Sequence, residues 1–371
     1  MKTISLLIKP VSGSCNVRCR YCFYSCVSDT RTVKNYGVMS VDILEIIIKK
    51  ALNEAEHYAA FAFQGGEPTM AGIDFFKTFV AFVHRYNVNG IKVSYALQTN
   101  GLLIDTQWAE FFKENKFLIG LSMDGTKDNH DYCRIDAAGK GTHNRAMAAM
   151  RVFTKYGVDV NILSVITRQF ARHPDAAYNF YKKNGCRYLQ FIPCLDDLNV
   201  LRGSHDYSLD ANDYGDFLCR MFDLWHTDFI KNDYVSIRIF DNYIHMLMGQ
   251  PPESCAMAGA CAAYALIEAD GSVYPCDFYA SDDYFLGNIN ECGFTELLHC
   301  ESAKVFAESS RHVDAACLQC EFYFLCRGGC RRDRESADGQ LLLNHYCESY
   351  KQFFAHAMPR MHAIAQSLLK R

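Results

Sequence analysis

No stretch of the 371-residue chain approaches the roughly 20 consecutive apolar positions needed to cross a bilayer. The opening segment, Met1 to Pro10, has too short an apolar core for a secretory signal and reads instead as a first strand. A surplus of charge is missing as well. The 38 basic and 42 acidic residues leave a formal charge of -4, and they are spread along the chain, so no basic face able to neutralise a phosphate backbone is implied. Neither nucleic acid nor a membrane is expected as a partner, and a cytoplasmic location follows. Internal repeats and low-complexity linkers are also absent. Half of the residues are hydrophobic, enough to bury a large core in one big domain with a smaller one beside it.

What the chain has in excess is cysteine. A reducing cytosol does not sustain disulfides, and a chain of this size needs no staples, so 18 cysteines must be metal ligands, catalysts or core fillers. Their spacing decides among these roles.

Up to about residue 230, short apolar runs alternate with helical patterns. Strands are predicted at Ser5 to Lys9, Ala59 to Gln64, Lys92 to Thr99, Phe117 to Met123, Asp159 to Val165 and Tyr188 to Ile192. Helices are predicted at Val41 to Glu56 behind Ser40 as N-cap, at Ile73 to His84 and at Thr106 to Glu114. Such alternation gives a parallel sheet with right-handed crossovers. Six units make a partial (β/α)6 TIM-like barrel, open enough for a peptide, with its chemistry at the C-terminal strand ends. Beyond about residue 235 the pattern gives way to short strands and a dense cysteine field, closed by a helix from Cys347 to about Leu369. The expected domains are 1–234 and 235–371.

Directly after the first strand comes Cys15-Asn16-Val17-Arg18-Cys19-Arg20-Tyr21-Cys22. Three thiolates can ligate three irons of a [4Fe–4S] cluster and leave the fourth iron open. Spacings this short also suit a zinc ion, with Cys26 as a fourth ligand. After the second strand, Gln64-Gly65-Gly66-Glu67-Pro68 lets the backbone approach a ligand closely, although an ordinary tight turn has the same composition. In the C-terminal field, Cys255, Cys261 and Cys276 precede Cys317, Cys320, Cys326, Cys330 and Cys347. Eight cysteines suffice for two four-thiolate sites, which could hold clusters or structural zinc. Cys26, Cys133, Cys186, Cys194, Cys219, Cys292 and Cys300 show no ligand spacing, and core filling is their default role.

Together these motifs resemble those of the radical S-adenosylmethionine (radical SAM) enzymes with a SPASM extension, and most closely the anaerobic sulfatase-maturating enzymes. The CxxxCxxC loop, the GGEP turn, the Gly271-x4-Cys276 segment and the C-x2-C-x5-C-x3-C run carry the resemblance. It implies three [4Fe–4S] clusters and S-adenosylmethionine. Cys15, Cys19 and Cys22 would hold the first cluster, Cys255, Cys261, Cys276 and Cys330 the second, and Cys317, Cys320, Cys326 and Cys347 the third. Gly66 would belong to the turn that holds the cofactor's amino group. Ser122 would bind its ribose, Arg134 its carboxylate, and Tyr21 and Leu195 its adenine.

The resemblance further implies that Asp277 is the base that deprotonates the substrate, a role that requires burial or neighbours to tune its proton affinity. Tyr24, Gln64 and Gln98 are candidate substrate contacts. The implied reaction converts the cysteine or serine of a Cys/Ser-x-Pro-x-Arg sulfatase motif to Cα-formylglycine without oxygen. A flavodoxin or ferredoxin would act as electron donor, and a monomer is expected. A SPASM enzyme that crosslinks or epimerises another ribosomal peptide is the alternative, but many of those carry an N-terminal recognition domain of about 80 residues, for which a cluster loop beginning at Cys15 leaves no space. A non-catalytic zinc protein is more distant. Anaerobically prepared protein is expected to hold about twelve irons per chain, and joint replacement of Cys15, Cys19 and Cys22 to remove about a third of them. Stoichiometric zinc with little iron would overturn the cluster reading.

Overall fold

A computed structural model describes residues 1–197, 200–262, 264–336 and 339–370. The chain forms two compact units that interleave along the sequence: Met1–Ser122, Arg134–Val160 and Ala263–Phe306 in the first, and Met123–Cys133, Asn161–Ala262 and Ala307–Arg371 in the second.

The first unit is built on a mostly parallel sheet. Its strands are β1 (Thr3–Ile8), β3 (Tyr58–Phe63), β4 (Lys92–Thr99), β5 (Phe117–Ser122), β10 (Ala265–Ile267), β11 (Ser272–Tyr274) and β12 (Gly287–Asn288), in the order β12-β11-β10-β1-β3-β4-β5. Beside it, β2 (Val17–Cys19) and β6 (Arg134–Asp136) form a small antiparallel ladder. The second unit carries β7 (Asp159–Ile166), β8 (Tyr188–Pro193) and β9 (Ser236–Ile237), paired in parallel.

All six predicted strands are present, and their ends move by at most a few residues. The sequence reading lacked β10, which pairs in parallel with β1 on the side opposite β3. Three residues are too short a run to stand out, yet Ala265, Leu266 and Ile267 are all fully buried, as befits a strand covered on both faces.

Side chains explain the helices between strands. Ser40 accepts the Ile43 amide and starts helix Val41–Glu54, and Asp105 accepts the Trp108 amide ahead of Thr106–Glu114. Helix Ile73–Tyr86 buries Phe76 and Phe79 against Phe63 of β3, with ring centroids 5.0 and 4.9 Å apart. In the second unit, helices Ala211–Ile230 and Cys347–Leu369 share an aromatic seam in which Phe353 stacks on Phe240 and meets Phe222 edge-on.

Candidate active site and cluster sites

Ser12, Ser14 and the cysteine loop leave β1 at its C-terminal end and run against the glycine turn after β3. The Gly66 amide donates to the Ser12 carbonyl at 2.9 Å and the Glu67 amide to the Ser14 carbonyl at 2.8 Å. A Cβ on Gly66 would lie 1.8 Å from the Ser14 oxygen, so no other residue fits without moving the backbone. Glu67 is buried and accepts from the Thr69 amide and hydroxyl, the Thr99 hydroxyl and the Asn100 amide. Asn100 in turn donates to Asn16 at 2.7 Å and towards the Cys15 sulfur at 3.8 Å, while the Val17 amide points at the same sulfur. The Glu67 carboxylate thus fastens the cluster loop to the ends of β3 and β4.

Arg134 faces Cys19 across the β2–β6 ladder. Its Nη1 lies 3.8 Å from the Cys19 sulfur, and its guanidinium carbon is 5.4 Å from the centre of the Tyr21 ring. Gln98 donates to Ser122 at 2.8 Å on neighbouring strands. Tyr21, Arg134, Gly66, Gln98 and Ser122 therefore all lie in the first unit around one set of strand ends. Leu195 is half-buried behind β8 in the second unit.

Asp277 follows Cys276 in a short 3-10 turn and is buried. The Tyr24 hydroxyl donates to its Oδ1, Gln64 reaches Oδ2 at 3.4 Å, and its own amide donates to the Tyr264 hydroxyl at 2.9 Å. Lys9, one residue past β1 and only 1% exposed, stands 3.4 Å from both Asp277 and Glu268, with its ammonium 4.0 Å from the Tyr24 ring centre. Glu268, fully buried one residue past β10, also binds Arg31 at 2.6 Å. Burial pushes the Asp277 carboxyl up, against the pull of Lys9 and the Tyr24 hydroxyl. Burial would also raise Glu268, but the Lys9 and Arg31 cations outweigh it and hold that group below its ordinary range. Burial and the adjacent Asp277 carboxylate push Tyr24 well up, so its phenol stays protonated as a donor.

In the second unit, Cys317, Cys320, Cys326 and Cys347 line a single cavity floored by Phe322, Tyr350 and Phe354. Burial and the neighbouring thiols push Cys326 up to about 11, the cost of crowding thiols in an apolar pocket when no metal takes their charge. Four soft sulfurs around one space form the donor set of an iron–sulfur cluster. Cys255, Cys261 and Cys330 also belong to this unit, whereas Cys276 lies beside Tyr264 in the first. Among the described residues, no three thiols, imidazoles or carboxylates converge closely enough for a single metal ion.

Residues 10–180 match the Radical SAM superfamily, and residues 255–321 match an iron-sulfur cluster-binding domain. A cysteine-type anaerobic sulfatase-maturating enzyme of Clostridium novyi is 48% identical over all of both chains. The chain belongs to the anaerobic sulfatase-maturating enzymes. Another such enzyme, from Clostridium perfringens, is 46% identical over 99% of this chain and 100% of its own. A solved structure described as native anSMEcpe with bound AdoMet and Cp18Cys peptide superposes with a TM-score of 0.95 at 44% identity, covering 99% of each chain.

The sequence reading missed Lys9, Glu268, Glu67 and Asn100. A charged residue closing a wholly apolar strand, as in Leu6-Leu7-Ile8-Lys9 and Ala265-Leu266-Ile267-Glu268, was the available signal. Replacing Lys9 with Met leaves two buried carboxylates with one guanidinium between them, and is expected to lower stability by about 3–5 kcal/mol at neutral pH. Because Glu268 is held below its unfolded pKa, its contribution is present above that value and is lost as pH falls through the lowered one. Thermal melts should therefore show Lys9→Met partly rescued by a second change, Glu268→Gln. Additive effects of the two changes would separate Lys9 from Glu268.

Proposed function

We propose that this chain oxidises a cysteine of a sulfatase, within a Cys-x-Pro-x-Arg segment, to Cα-formylglycine, with Asp277 as the proton acceptor. The observation that carries the reading is the buried carboxylate beside Cys276, aimed by Tyr24, Gln64 and Lys9. The relatives that match over the whole chain are named cysteine-type, which favours cysteine over serine. No helix among the described residues is long and apolar enough to cross a membrane. The proposed reaction places the enzyme in the cytoplasm, as a monomer acting on a nascent chain. A flavodoxin or ferredoxin would supply electrons.

When bound, S-adenosylmethionine on the first cluster supplies a carbon radical that abstracts hydrogen, and the auxiliary clusters supply a sink for the second electron. Cys15, Cys19 and Cys22 would hold the first cluster. Gly66, whose missing side chain lets the turn pack against the cysteine loop, would belong to the turn that holds the cofactor's methionine end, and the Arg134 fork suits its carboxylate. Ser122, Tyr21 and Leu195 would line the nucleoside. Cys255, Cys261, Cys276 and Cys330 would form one auxiliary set, and Cys317, Cys320, Cys326 and Cys347 the other.

Asp277 takes the substrate thiol proton, and Lys9 keeps its carboxylate ionised despite burial until it does so. Tyr24 fixes one carboxylate oxygen and leaves the other for the substrate, next to Gln64. One hydrogen atom from the β-carbon, one thiol proton and one further electron leave the cysteine. The resulting thioaldehyde exchanges its sulfur for oxygen in water and releases hydrogen sulfide.

Reconstituted protein, S-adenosylmethionine, a reductant and a Cys-x-Pro-x-Arg peptide should yield an aldehyde by mass and by hydrazide capture. A product with an intact thiol and an inverted α-carbon would select the epimerase alternative. The Asp277→Asn variant should keep its iron and still cleave S-adenosylmethionine, while aldehyde formation falls about a hundredfold or more, the range for losing a general base. A near-native aldehyde yield from this variant would remove Asp277 from the reaction.

A further inference from the structure

Arg334, one helical turn beyond Cys330, is 2% exposed and has an unusual set of partners. Its Nη1 donates to the His312 carbonyl and its Nη2 to the Ser310 carbonyl at 2.7 Å, while its Nε has no acceptor. Among the described residues, no carboxylate reaches its guanidinium at salt-bridge distance. A buried cation satisfied only by carbonyl dipoles is costly, and it has to be stabilised by negative charge that the carbonyls do not provide.

Both auxiliary thiol sets lie close by. Ser310, which accepts from Arg334 through its carbonyl, accepts the Cys261 amide through its hydroxyl at 2.7 Å. On the other side, a Cβ built on Gly328 would stand 4.0 Å from Arg334 Nη1, and Gly328 lines the cavity of Cys317, Cys320, Cys326 and Cys347. The other nearby cations are already answered. Arg331 has Glu335 at 3.5 Å, and the largely exposed Lys351 has Glu348 at 2.9 Å. Asp333 is buried and feels Arg334, but it pairs with Arg202 at 3.9 Å.

We propose that Arg334 is a positioning residue for electron flow: its permanently charged guanidinium, buried beside Cys261 of one auxiliary set and Cys317 of the other, makes both auxiliary clusters easier to reduce. A cluster held by four thiolates gains one negative charge when it accepts one electron, so a nearby fixed cation stabilises the reduced form more than the oxidised one. The electron is the one that leaves the substrate after hydrogen abstraction, and no further reactant is needed. The inference rests on the thiol sets assigned above.

The test is a redox titration followed by electron paramagnetic resonance on the full chain. Cys15, Cys19 and Cys22 are replaced by Ala so that only auxiliary signals remain. Fewer than about eight irons per chain in that background would defeat the assignment of the two thiol sets. With those irons present, Arg334→Gln should make reduction at least about tenfold less favourable, which is 59 mV for a one-electron couple. Arg334→Lys, which keeps the charge and loses the fork, should stay near the parent. Unchanged midpoints in a fully loaded Arg334→Gln protein, or an equal shift in Arg334→Lys, would overturn the proposal. If Arg334→Gln does not retain its iron, Asp333→Asn decides the matter. Removing the buried Asp333 carboxyl, whose charge opposes that of Arg334, should ease reduction, and unchanged or lowered midpoints would refute the charge effect.

Discussion

A lysine ammonium placed in a protein interior must meet negative charge, because leaving it unpaired costs more than most folds can supply. Lys9 stands in that position at the end of β1, and its requirement organises the first unit. Its backbone amide continues the ladder to Ile267 of β10 at 2.8 Å. That pairing brings Glu268 and, after one antiparallel return, Asp277 to its side chain. Residues more than 250 positions away in sequence are thereby joined to the first strand. The same ammonium lies over the Tyr24 ring, whose hydroxyl reaches back to Asp277. Arg31 then shares Glu268, so Glu268 lies between two cations, while Asp277 has only the shared Lys9 and two neutral donors, Tyr24 and Gln64.

This arrangement separates holding a carboxylate from satisfying it. Glu268, between two cations, is locked in its ionised form, whereas burial lifts Asp277 towards protonation. Two acids a few ångströms apart are thus given opposite tendencies by their surroundings, the pattern expected when one is structural and the other exchanges protons. Glu67 provides a third case. It is buried without a cation and satisfied wholly by hydroxyl and amide donors, and it ties the glycine turn to Asn100 and the cysteine loop.

The local signals were legible in the sequence. Apolar runs marked all six predicted strands, Ser40 marked a helix start, and the family resemblance grouped Cys317, Cys320, Cys326 and Cys347, which line one cavity. The long-range consequences were not. The strand β10 is too short to announce itself, and without it nothing in the sequence places Glu268 or Asp277 beside Lys9. Lys9 itself looked like an ordinary polar strand end, because burial is a property of the assembled sheet and not of the residue. Gln98 was expected to meet substrate, yet it spends a hydrogen bond on Ser122 across β4 and β5, a contact set by strand register. Arg334 lies in a basic run with Arg327, Arg331 and Arg332 that reads in the sequence as a solvated or cluster-screening face, and only the fold shows it buried among carbonyls.

The central claim is that a hydrogen atom is taken from the substrate's β-carbon beside a buried proton acceptor that is already in place. Its most direct measurement follows a Cys-x-Pro-x-Arg peptide deuterated only at the cysteine β-carbon through a single turnover. One deuterium should appear in 5′-deoxyadenosine for each aldehyde formed, and none should wash into solvent from that site. Deuterium retained entirely in the peptide, or hydrogen drawn instead from the α-carbon, would contradict the account.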